Sequence, residues 1–92
     1  MKKCLKLSLD FAGDMDFVHS LQKIGAKLSM EGSIKFYASE KQLRIIACGT
    51  KEDVDKFLDI LHKEVVKIGA PAINIEPFMR DKDYRGVFRI IE

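Results

Sequence analysis

The chain lacks any apolar run approaching the roughly 20 residues needed to span a bilayer, so the sequence points away from a membrane protein. It also lacks a dominant charge. Sixteen basic residues stand against 14 acidic ones, for a formal net charge of +2, and the two signs are interspersed. A nucleic-acid binder usually carries a basic stripe or a strongly basic total; neither is present, which argues against a nucleic-acid partner. Cysteine is scarce: Cys4 and Cys48 stand far apart, with no Cys-Xaa-Xaa-Cys, and the two histidines, His19 and His62, have no ligand spacing. No metal site is read from this, and no cofactor is expected. Met1-Lys2-Lys3 is basic, but alternating residues follow it, so no secretory signal is read. Two reduced thiols in a cytoplasmic protein are the expectation. No linker, repeat or low-complexity stretch breaks the chain, and one domain is expected over residues 1–92.

What is present is the composition of a globular domain, 47% hydrophobic and 33% charged. Residues 4–11 alternate, with Leu5, Leu7, Leu9 and Phe11 on one face, which is the period of a half-buried strand. Over 15–28 the period becomes helical through Phe17, Val18, Leu21, Ile24 and Leu28. Asp14 or Asp16 can cap that helix. Gly25 inside it costs about 1 kcal/mol relative to Ala, which close packing against the sheet would explain. Residues 33–38 alternate again, Ser39-Glu40-Lys41 reads as a hairpin loop, and 42–48 forms a third strand. The run Ile45 to Cys48 is almost wholly apolar, as in a central strand. A second helix is expected over 51–68, capped by Thr50 with Asp53 and ended by Gly69 with Pro71 beyond. A strand over 73–79 contains Pro77 and should lie at an edge or bend there. A charged turn, 80–83, and a last short strand, 86–91, complete the chain.

This order predicts an α/β (α+β) sandwich. It is the ferredoxin-like βαββαβ arrangement with an extra short C-terminal strand, both helices covering one face of an antiparallel or mixed sheet. The first and third strands are expected as parallel neighbours. That would put Cys4 and Cys48 at opposite ends of the sheet, beyond the Cα reach of about 7 Å that a disulfide allows.

The pattern resembles the acylphosphatase family. Leu28-Ser29-Met30-Glu31-Gly32-Ser33-Ile34 is similar to the family's Leu-Gly-Leu-Xaa-Gly-Trp-Val. Gly49-Thr50 with Val54, Phe57, Leu58 and Leu61 is similar to its second helix. Gly69-Ala70-Pro71-Ala72 resembles its Gly-Ser-Pro turn, and Phe88-Arg89-Ile90 its closing Phe-Xaa-Ile. The family hydrolyses the carboxyl-phosphate bond of acyl phosphates without a metal. The resemblance implies a phosphate cradle in the loop after the first strand, where the family has Gly-Arg-Val-Gln-Gly-Val-Xaa-Phe-Arg. Its backbone N–H groups and final Arg hold the phosphoryl oxygens, and the Asn of Gly-Trp-Val-Xaa-Asn orients the attacking water. Such chemistry relies on fixed donors and a cation, because negative charge sits on the phosphoryl oxygens in the transition state.

The chain departs from that pattern at both catalytic positions. With Phe17-Val18-His19 set against Xaa-Phe-Arg, His19 replaces the arginine. With Gly32-Ser33-Ile34-Lys35-Phe36 set against Gly-Trp-Val-Xaa-Asn, Phe36 replaces the asparagine. The cradle equivalent is Ala12, Gly13, Asp14, Met15, Asp16 and Phe17. It keeps one glycine and gains two carboxylates, which repel an anion and compete for the same N–H groups. No catalytic residue is intact. The expected function is therefore a domain that has lost acyl-phosphate hydrolysis and acts as a binding or interaction module for an unidentified protein or small ligand. The alternative is an acylphosphatase that works with altered residues, for which acyl phosphate or phosphate would be the ligand. A monomer or weak dimer is expected.

Other residues have simpler readings. His19 could serve as a cation with Asp16 one turn away, but a solvated helix histidine is the commoner case, and the same holds for His62. Lys35 and Arg44 could offer positive charge from the sheet, though strand charges on an open face are usually just solvated. Tyr84-Arg85-Gly86-Val87-Phe88 has a passing likeness to an RNA-binding octapeptide. It lies on the last strand, however, with Val87 where an aromatic should stack, and no RNA partner follows. Met15 and Met30 read as gap-fillers beside loops.

Overall fold

A computed structural model of the chain describes residues 2–11, 14–67, 73–77 and 87–91. Strand β1 (Lys2–Asp10) leads into helix α1 (Met15–Lys27). Strands β2 (Glu31–Tyr37) and β3 (Gln42–Thr50) form a hairpin across a short 3-10 turn, Ala38–Glu40. Helix α2 (Lys51–Lys67) and the short strands β4 (Asn74–Pro77) and β5 (Phe88–Ile91) follow. The five strands form one sheet in the order β4-β1-β3-β2-β5. The pairs β1–β3, β1–β4 and β2–β3 are antiparallel, and β5 adds in parallel to β2. This is the expected ferredoxin-like sheet, extended by one strand.

Alternation decides which face is covered. Leu5, Leu7 and Leu9 of β1, Leu43, Ile45 and Ala47 of β3, and Ile34 of β2 are buried together with Phe17, Val18 and Leu21 of α1 and Val54, Phe57, Leu61 and Val65 of α2. Both helices thus pack on one face. The other face carries Lys6, Ser8, Arg44 and Lys35. Strand β3 lies at the centre, as its apolar run suggested, and β4 with Pro77 lies at an edge.

Two glycines explain close approaches. A Cβ on Gly25 would lie 3.0 Å from Cγ of Phe88 and closer still to Cδ2 and Cε2. Helix α1 therefore needs glycine where the Phe88 ring slides beneath it. That ring also stands edge-on to Phe57, 5.5 Å between centroids, and so ties β5 to both helices. Gly32 has φ +142° with the Ile46 carbonyl against its Cα, which leaves no room for a side chain.

The expectation for the cysteines is corrected. β1 and β3 run antiparallel, and Cys4 lies directly opposite Cys48 in the register. The two form a disulfide with Cα atoms 4.1 Å apart, so free thiols are not what the structure contains. The physical reason is topological. The α1 crossover makes β1 and β2 parallel, and the hairpin then reverses β3, so a strand inserted between them opposes both. The first residues of β1 therefore meet the last residues of β3.

Of the two methionines read as gap-fillers beside loops, Met30 is buried in the core, whereas Met15 is exposed on the first turn of α1 and fills no gap. Gly69 and Pro71 as the end of α2, residues 78–79 of the fourth strand, the 80–83 turn and the Tyr84–Gly86 part of the octapeptide likeness lie outside the described residues. No helix among the described residues is long and apolar enough to cross a membrane.

Candidate functional site

The junction between β1 and α1 can offer donors to an anion, because a helix N-terminus projects backbone N–H groups without intrahelical partners. Of the six cradle-equivalent residues, Ala12 and Gly13 lie outside the described residues, while Asp14, Met15, Asp16 and Phe17 are placed. Asp14 is the N-cap of α1. Its backbone is extended, and its Oδ1 accepts the Asp16 N–H at 3.0 Å. One of the donors that could face an anion is thus already bound to a carboxylate. The Val18 N–H reaches the Asp14 carbonyl at 3.4 Å and begins the helical ladder. The side chains of Asp14 and Asp16 are exposed at the positive helix end, where carboxylates are favoured.

Below this turn the site is aromatic. Phe11, the last described residue before the loop, is buried and anchored by its N–H to the Lys41 carbonyl at 2.9 Å. Its ring lies 5.5 Å from that of Phe17 and, edge-on, 5.5 Å from that of Phe36. Phe36 is opposite Leu43 in the hairpin register, so the sheet aims it into the helix-covered side. The position that resemblance assigns to a water-orienting asparagine is therefore part of a three-ring cluster.

His19 is exposed on α1 and makes no side-chain hydrogen bond or ion pair with Asp16 or any other described residue. Setting Phe17 rather than Val18 against the motif's Phe would put Val18 at the arginine position, and Val18 is buried and aliphatic. In neither alignment does an arginine occupy it. His62 is exposed on α2.

Arg44 does not turn toward the junction. It alternates with Leu43 and Ile45 and so projects from the open face. There its Nε donates to Gln42 Oε1 at 2.6 Å and its NH2 group to Glu40 Oε2 at 3.2 Å. Its guanidinium also lies 4.1 Å from the centroid of the Tyr37 ring, and Lys35 Nζ lies 5.1 Å from the same centroid. These contacts brace the hairpin. Sequence reading saw both cations but not the Tyr37 ring between them; the alternation that puts Lys35, Tyr37 and Arg44 on one face was the available signal.

No protein-family model matches the chain, and no curated protein matches it in sequence. Solved structures match the fold. The structure of an acylphosphatase from Coxiella burnetii superposes with a TM-score of 0.77 at 18% identity, covering 98% of this chain and 93% of that one. An acylphosphatase from Bacillus subtilis gives a TM-score of 0.72 at 18% identity with all of both chains covered (100% and 100%). A bacterial light-regulated adenylyl cyclase gives 0.67 at 19% identity, where 99% of this chain matches 28% of the larger protein. The chain therefore has an acylphosphatase-like fold.

Proposed function

We propose that this acylphosphatase-like domain does not hydrolyse acyl phosphates and serves as a binding or interaction module. The observation that carries the reading is the Asp14 carboxylate on the Asp16 N–H. A cradle for a phosphoryl group needs that N–H directed at the ligand, and an acidic side chain in its place repels the ligand as well as occupying the donor. The Phe11–Phe17–Phe36 cluster supports the same reading, since an apolar ring cannot orient water. Removing one transition-state donor costs about 10²–10³ in rate. Here the arginine and the asparagine are both replaced, by His19 and Phe36. The occurrence of this fold within a much longer light-regulated cyclase supports a modular role. A protein or small ligand is the partner class, and a cytoplasmic location belongs to the same reading.

The test is hydrolysis of benzoyl phosphate together with amide shifts of residues 14–19 during a phosphate titration. Neither turnover above background nor a shift at millimolar phosphate is expected. Measurable turnover that is lost on changing His19 to Ala would instead establish an acylphosphatase working with altered residues.

A further inference from the structure

We propose that Cys4 is a site of reversible thiol exchange, and that Cys4 and Cys48 form a redox couple within the sheet rather than a permanent staple. Three observations carry this. The bond joins β1 to β3, which are already paired residue by residue from Lys2↔Thr50 to Asp10↔Gln42, so the ladder holds these strands together without it. The bridge lies on the face away from the helices, because Cys4 and Cys48 alternate with the core residues Leu5 and Ala47. Opening it therefore removes no atom from the helix-covered core. Finally, the two sulfur-bearing residues differ in access. Cys48 is completely buried, with Glu31 opposite it on the β2 side, whereas Cys4 is only half-buried.

The difference in access fixes the direction of exchange. Thiol–disulfide exchange requires a thiolate to approach one sulfur along the S–S axis. A low-molecular-weight thiol such as glutathione attacks Sγ of Cys4. A bond forms between the incoming sulfur and Cys4, the Cys4–Cys48 bond breaks, and its electron pair leaves on Cys48, which takes a proton from water. A second thiolate then attacks the added sulfur. It releases Cys4 as a thiol after protonation and leaves the reductant as its own disulfide. In sum, two small thiols are oxidised and one protein disulfide is reduced to two thiols. The reverse sequence passes through thiolated Cys4, from which the buried Cys48, already directly opposite, closes the bridge.

The experiment equilibrates the purified chain in a series of reduced-to-oxidised glutathione ratios. Free thiols are then trapped by alkylation, with mass spectrometry for the modification and circular dichroism for the fold. The bridge should open and close reversibly across the series with unchanged circular dichroism. With oxidised glutathione, Cys48→Ser should gain one glutathione on Cys4, and folded Cys4→Ser should gain none. If either variant fails to fold, acid-trapped mixed disulfide in the unmodified chain is mapped by peptide mass and should lie on Cys4 alone. Unfolding on reduction, failure of the bridge to re-form, or equal modification at both cysteines would each overturn the proposal.

Discussion

The ring of Phe36 stands edge-on to that of Phe11, with 5.5 Å between centroids and 81° between planes. Phe11 also meets the ring of Phe17 on the first turn of α1, so through Phe11 the pair packs against that turn. Restoring the asparagine that the resemblance suggests should not restore chemistry. Phe36→Asn removes the ring, leaves a polar amide against Phe11 and Leu43, and should cost about 1–3 kcal/mol for lost packing and an ill-matched polar group. Benzoyl phosphate turnover should stay at background while the urea midpoint falls.

The Asp14 cap gives a gain-of-binding prediction. Asp14→Gly keeps a residue tolerated at an N-cap, so the helix should lose only about a few tenths of a kcal/mol. It also removes the carboxylate that accepts the Asp16 N–H. Phosphate should then shift the amide signals of Asp16 and Phe17 at concentrations that leave the unmodified chain unchanged. If the two proteins respond alike in a two-dimensional NMR titration, the cap is not what excludes the anion.

Gly25 tests the packing of α1 on β5. Gly→Ala in a helix ordinarily gains about 1 kcal/mol, but here the added methyl would intrude on the Phe88 ring. That ring is wedged against Phe57 and its backbone carbonyl is held by the Gln22 side chain at 2.9 Å, so it has little freedom to retreat. Overpacking costs about 1–3 kcal/mol, and Gly25→Ala should lower the denaturant midpoint despite its better helix propensity.

Much of the fold was legible because its elements carry clean periods. Leu5, Leu7 and Leu9 alternate, Val54, Phe57, Leu61 and Val65 recur at helical spacing, and the Thr50 cap is observed as Asp53 N–H to Thr50 Oγ1 at 3.1 Å. Gly25 signalled a close approach without naming its partner, since Phe88 reaches it only through sheet order. The cysteine pairing was also deducible: a crossover followed by a hairpin requires β3 to oppose β1. Reading those strands as parallel put Cys48 at the wrong end. The site was less legible. Substitutions at His19 and Phe36 could be seen in the sequence. The three-ring cluster could not, because alternation gives the facing of Phe11 and Phe36 but not the contact between a ring just past the end of β1 and one on β2, strands that β3 separates.

The disulfide should matter more for stability than for architecture. It closes a loop with a sequence separation of 44 residues, and a loop of that order restricts the unfolded chain by about 3–4 kcal/mol in the chain-entropy account. Reduction should lower the thermal midpoint substantially while the far-ultraviolet circular dichroism at 25 °C stays the same. Cys4→Ala with Cys48→Ala should reproduce the reduced protein's midpoint.

Lys41 occupies the last position of the hairpin turn with φ 49° and ψ 50°, a left-handed conformation. Such a backbone costs a residue with a Cβ about 1–2 kcal/mol, and glycine adopts it without that strain. The position is nonetheless well used. Its N–H donates to the Ala38 carbonyl at 3.2 Å, and its own carbonyl accepts the Phe11 N–H that anchors the end of β1. Both bonds are made by the backbone, so Lys41→Gly retains them while relieving the strain. Greater freedom of glycine in the unfolded chain takes back part of the gain. A net stabilisation of about 0.5–1 kcal/mol is expected, measured as a higher urea midpoint at unchanged slope. Lys41→Ala, which keeps a Cβ, should show no comparable increase; if both variants rise equally, loss of the lysine charge rather than relief of backbone strain is responsible.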